Sequence, residues 1–156
     1  MSLNTASITA AIKALSIPGV TILDLVDLPD QVQGRTNEVP VLMPEPNAFI
    51  QGGAAEGDLD GLETFGTPTE RFWLFRRTFR YQYLHAKAGS GRSLADHYPA
   101  MCAKVDAIME ALTALDVATK DVMTINVSAF GVFGDNSGAQ FFGCQLDIMI
   151  REKVNP

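Results

Sequence analysis

Cysteine and histidine are scarce in this chain, two of each in 156 residues. Two thiols are too few to staple a domain of this size. Cys102 falls in a stretch with helical spacing and Cys144 in one that alternates like a strand, so both are expected as reduced, buried thiols of a cytosolic protein. Cationic residues are also in deficit, 12 Lys and Arg against 18 Asp and Glu. The resulting net charge of −6 and pI near 4.8 argue against a surface that binds nucleic acid non-specifically. No apolar run approaches the ~20 residues that span a bilayer. The first residues, MSLNTASITAAIKAL, lack the basic start and long apolar stretch of a secretory signal. Neither GxxxxGK(S/T) nor GxGxxG occurs, and there is no internal repeat or low-complexity tract. The composition that remains, 47% hydrophobic and 19% charged, is that of a single globular domain over residues 1–156.

Candidate chemistry is equally sparse. Asp96 and His97 are adjacent on a helical stretch and point about 100° apart, so they form no relay with each other. His97 is expected as a solvated residue of the first helical turn, and His85 as a surface or interface residue at a strand end. Cys102 lacks a nearby basic pattern that would mark it as a nucleophile and reads as core. The acids Glu56, Asp58, Asp60 and Glu63 invite a calcium reading. However, the run Asp58-Leu59-Asp60-Gly61 brings the glycine too early for an EF-hand loop. The expectation is no catalytic residues, no metal, no cofactor, and no enzymatic activity.

What the chain does have is one dominant stretch. In Glu70–Lys87, ERFWLFRRTFRYQYLHAK, the residues Trp73, Phe75, Phe79, Tyr81 and Tyr83 fall on one parity. Arg76, Thr78, Arg80 and Gln82 fall on the other. Period-two alternation of aromatic with polar residues is the mark of a strand with one face buried. Eighteen residues is about three times the usual strand of roughly 5–6, so one long strand, bent or extended as an arm, is expected. Arg77 breaks the apolar parity, which suggests a bulge near Arg76–Arg77. The cations of this strand could pair across the sheet with Asp147 and Glu152. The sharper alternative is an intersubunit charge patch.

The other elements follow in order. Asn4 or Thr5 can cap a short helix with Ile8, Ala11, Ile12 and Leu15 at helical spacing, ended by Pro18-Gly19. Val20–Leu28 reads as a short strand. Val39–Met43, framed by Pro40, Pro44 and Pro46, reads as an edge strand or extended arm, since proline cannot donate into a central ladder. Residues 47–69, with five glycines and several acids, read as a long loop, mobile in isolation and ordering on assembly. Ser93, with Asp96 three residues on, caps a strong helix over Ser93–Asp116. Its stripe of Met101, Val105, Ile108, Met109, Leu112 and Leu115 is suited to cover the aromatic face of the long strand. Two further strands, VMTINVSAF and FFGCQLDIMIRE, flank a Gly134–Gly138 turn and form an antiparallel hairpin. The fold expected is α+β: a mostly antiparallel sheet, a long helix packed across one face and a small N-terminal helix. Trp73, Phe75, Phe79, Val105, Met109 and Leu112 are its expected core.

LPDQV followed by VPVLMPEP, then RFWLFRRTFRYQYL before SLADHYPAMCAKVDAIMEAL, and a closing hairpin ending in QLDIMIREKV, occur here in a distinctive order. In that order, over nearly the whole chain, the sequence resembles the tail terminator (tail completion) proteins of long-tailed bacteriophages and their neck-protein relatives. The glycine-rich Gly52–Gly66 stretch is longer than that pattern requires. The resemblance implies a structural virion protein that closes into a ring, a hexamer in this family. Such a ring caps the tail tube, stops its polymerisation and joins the tail to the head connector or stopper protein, with DNA passing through it unread. It further implies assembly in the host cytoplasm and residence at the tail–neck junction, with no membrane partner. Within such a ring Arg76 and Arg80 on one subunit, and Glu56, Asp58, Asp60 and Glu63 on the next, are the candidate interface. The alternatives are a head-completion or stopper protein of the neck, or a small ligand-binding or enzymatic α+β domain with its site under the Gly52–Gly66 loop.

Overall fold

One strand of eighteen residues, Glu70–Lys87, holds the sheet together, and every other strand pairs with it directly or through a single intermediary. The computed structural model describes residues 5–24, 27, 39–45, 50–51, 61–67, 70–89, 91–115, 120–134 and 138–154. In chain order the elements are α1 (Thr5–Lys13), β1 (Thr21–Ile22), β2 (Val41–Pro44), β3 (Ile50–Gln51) and β4 (Gly61–Thr67). They are followed by β5 (Glu70–Lys87), α2 (Leu94–Thr113), β6 (Lys120–Gly134) and β7 (Gln140–Val154). The seven strands form one sheet in the order β1-β2-β5-β7-β6, with β3 and β4 pairing farther along the β2 side of β5. Only the short β1–β2 pair is parallel. With α2 and α1, the architecture is the α+β fold that the sequence pattern implies.

The alternation of β5 becomes a two-faced sheet because directly opposed residues of antiparallel strands point to the same side. Phe79, Tyr81 and Tyr83 oppose Ile148, Leu146 and Cys144 of β7, and all six are buried. Met101, Val105, Ile108 and Leu112 of α2 join Ile8 and Ile12 of α1 over this face in a continuous core. Met109 and Leu115 pack at its margin. Phe79, Val105 and Leu112 are therefore core residues as expected, and Met109 is a partly buried one. Trp73 and Phe75 occupy β5 backbone positions opposite Val154 and Glu152. Burial pushes the Cys144 thiol up to about 12, with Cys102 as the lesser cause, so the thiolate is suppressed.

The capping box at the start of α2 forms despite the shorter aspartate. Asp96 N–H donates to Ser93 Oγ at 3.4 Å, and Ser93 N–H donates to Asp96 Oδ2 at 2.8 Å. Pro99 is accommodated inside the helix. It supplies no N–H to the carbonyl of Ala95, one turn back.

Four local readings are corrected. The stretch 39–44 is not an edge: β2 has β1 on one side and β5 on the other. Pro40 precedes the strand, after a cis Val39–Pro40 bond, and Pro44 ends it, so the interior positions Val41–Met43 keep their donors. Second, residues 47–69 are not one loop. Ile50–Gln51 pairs with Phe79 and Thr78, and Gly61–Thr67 pairs with seven consecutive residues from Glu70 to Arg76. Residues 47–49, 52–60 and 68–69 lie outside the described set. Third, the register of β5 against β7 runs unbroken past Arg76 and Arg77. The bulge lies instead between Leu84 and Ala86, leaving His85 as the extra residue. Fourth, among the described residues of Val20–Leu28 the strand is the two-residue β1; beyond it, Asp24 N–H donates to Asp27 Oδ2 at 2.9 Å.

The bulge has a backbone cause. Gly143 of β7 opposes Leu84, and a methyl group on Gly143 would come within 2.1 Å of the Tyr83 carbonyl oxygen. Only glycine allows β7 to approach β5 this closely.

Candidate functional site

The face of the sheet opposite α2 carries the polar parity of β5. Cross-strand rows can be read from the register. Arg80 opposes Asp147 of β7, which opposes Asn126 of β6; Gln82 opposes Gln145, which opposes Ser128. Arg76 opposes Arg151, whose β6 partner is Asp121. On the other side of β5, Glu45 N–H donates to the carbonyl of Arg80 at 2.9 Å, so an acid stands at the register position beside Arg80 there as well.

Arg80 is an internal partner. Its Nε donates to Asp147 Oδ1 at 2.9 Å and its Nη2 to Asp147 Oδ2 at 3.4 Å. Both side chains are about three-quarters covered. This is the cross-strand pairing considered for the basic strand, realised for Arg80 and Asp147. Arg76 shares the face, half-buried, four residues along. Of the acids placed with them at a candidate interface, Glu63 sits in β4 at the register position opposite Leu74. Glu56, Asp58 and Asp60 lie outside the described residues. Arg76 and Arg80 thus come together on one face, and Arg80 is paired there with Asp147 of the same sheet.

A second constellation lies on the helix side. His85 has the same parity as Tyr83, and its ring centroid is 5.7 Å from that of His97 at 70°. The Tyr83 hydroxyl is 2.7 Å from His85 Nδ1. The His97 ring lies 5.3 Å from that of Phe142. His97 is therefore packed rather than solvated, and its Nε2 is buried without a hydrogen-bond partner among the described residues. Desolvation holds the His85 pKa below its ordinary value, aided by His97 and Lys104. Burial, and then Cys144, pushes the Tyr83 hydroxyl far up, so it stays a neutral phenol beside His85. No group of three or more His, Cys, Asp or Glu among the described residues is arranged to hold a metal ion.

A third feature is apolar and exposed. Tyr98 of α2 stacks edge-on against Phe130 of β6 with centroids 6.0 Å apart. Tyr98, Phe130 and Val132 are 49%, 39% and 52% exposed, the large apolar side chains most open to solvent among the described residues. Phe130 lies within, and Val132 just beyond, a bulge of β6 between Ser128 and Gly131, where Ala129 takes φ +53°. Alternation alone could not reveal this patch, because the bulge resets the parity of β6. The sequence matches no model of a known protein family, and no curated protein matches it.

Proposed function

We propose that this chain is a structural protein that assembles with copies of itself into a closed ring, acting as a tail terminator at the head-proximal end of a phage tail tube. The observation that carries this reading is the placement of two strand edges and one apolar patch. Among the described strands, β6 has a neighbour only in β7, and β4 only in β5, so the sheet offers a long edge on each side. A closed ring needs two different surfaces on each subunit, one to meet the other on its neighbour. Two unlike edges of one sheet are such surfaces, and unpaired strand edges are templates for pairing with another chain. The exposed group Tyr98, Phe130 and Val132 lies along the β6 side, where an apolar patch marks a protein contact.

The resemblance in element order supplies the rest of the reading: the tail tube protein on one side of the ring, the head connector or stopper on the other, and a channel through which DNA passes without base-specific contact. The reading assigns no reaction to the chain.

The test is a tail assembly reaction with Tyr98→Ser and Phe130→Ser introduced together. Both residues are exposed, so stability should change by no more than about 0.5 kcal/mol each. Loss of tube-end occupancy, with overlong tubes in negative-stain images, is the expected result. Tubes of normal length capped by the variant would contradict the proposed contact surface.

A further inference from the structure

Both histidines of the chain meet where the end of β5 passes under the start of α2, and the groups around them can be named element by element. From β5 comes Tyr83, whose hydroxyl is 2.7 Å from His85 Nδ1. From α2 come His97, Asp96 and Lys104, with Arg92 just ahead of the helix. From β7 come the apolar ring of Phe142 under His97 and, beyond Tyr83, the buried Cys144 thiol. Lys104 donates to the carbonyl of Pro18 at 2.7 Å, which fixes its ammonium near the pair. The acid closest in sequence, Asp96, is engaged: its Oδ2 accepts from the Ser93 N–H at 2.8 Å and the Ser93 hydroxyl at 3.1 Å.

We propose that the His85–His97 contact is an acid-sensitive latch that holds the first turn of α2 on β5 while His85 is neutral and releases it when His85 takes up a proton. The two rings at 5.7 Å make a favourable edge contact, whereas an imidazolium at His85 is disfavoured in a partly desolvated site that already holds a lysine. The place that yields is also set by the chain. Pro99 removes the helix bond to Ala95, so the turn bearing His97 is tied to the rest of α2 by one bond fewer. Release of that turn uncovers Phe142.

The sign follows from linkage. The folded-state pKa of His85 lies below its unfolded value of about 6.5, so the unfolded chain binds more protons below that pH. The contribution is fully present above about 6.5 and is lost as pH falls toward the folded value.

The experiment is amide hydrogen exchange on the full chain at pH 7.5 and 5.0, corrected for intrinsic rates. The proteins compared are the wild type, His85→Gln, His97→Gln and the double variant. The amides of Asp96, His97 and Tyr98 in the wild type should lose about tenfold in protection at the lower pH. Residues 105–113 should hold theirs, and the double variant should show no such step. Equal pH dependence in all four proteins, or loss spread evenly over α2, would overturn the proposal. A wild-type NMR titration keeps it decidable if a variant fails to fold. A His85 midpoint below the ordinary value, shifting on His97→Gln or coincident with loss of the Tyr83 contact, supports the latch. An ordinary, independent His85 titration refutes it.

Discussion

Arg80 and Asp147 face each other on adjacent antiparallel strands, in register and joined by two hydrogen bonds of 2.9 and 3.4 Å. That geometry decides what the basic strand does first. Arg80 neutralises an acid of its own sheet, so it holds β5 to β7 before it can meet any neighbouring subunit.

A double-mutant cycle on Arg80→Ala and Asp147→Ala should therefore return a coupling of about 1 kcal/mol, in the upper range for partly exposed pairs. Arg80→Glu should destabilise the monomer itself, because it sets like charges directly opposite each other. Urea unfolding measures both. A coupling near zero, with Arg80→Glu as stable as wild type, would return Arg80 to the list of intersubunit residues.

Leu112 is fully buried between α2 and the sheet. Leu112→Ala should cost about 2–5 kcal/mol, the range for a truncated core leucine. Unchanged thermal and urea stability would mean that α2 does not cover β5 as described.

Gly143→Ala should be as damaging although it adds only one methyl group. The new carbon would meet the Tyr83 carbonyl at 2.1 Å, and backbone cannot move aside as a flexible side chain does. A loss of at least about 1–3 kcal/mol is expected, together with a change in His85 and Tyr83 NMR shifts as the bulge is displaced. A variant as stable as wild type, with those shifts unmoved, would show that the two strands are farther apart.

Much of this architecture is legible in the chain. The eighteen residues of β5, the start of α2 at its Ser93 cap and the β6–β7 hairpin all announce themselves by period and capping chemistry. What stays hidden depends on partners distant in sequence. β4 reads as loop because Gly61 and Gly66 dilute its pattern; its strand character comes from pairing with β5. β2 reads as an edge because its prolines are conspicuous, yet they sit before the strand and at its end. The His85–His97 contact is hidden because it joins two elements: period two puts His85 on the parity of Tyr83, but only the packing of α2 on β5 brings His97 against it. The exposed Tyr98–Phe130 contact is hidden because the bulge between Ser128 and Gly131 shifts the parity of β6.

The central claim is closed self-assembly, and the most direct measurement is the mass of the purified protein in solution over a wide concentration range. The account predicts a discrete species at a fixed whole-number multiple of the 16.9 kDa chain, six for the family it resembles, growing at the expense of the monomer and going no further. Tyr98→Ser with Phe130→Ser should move that equilibrium back toward monomer. A protein that stays monomeric at every concentration, or one that grows without limit into open polymers, would contradict it.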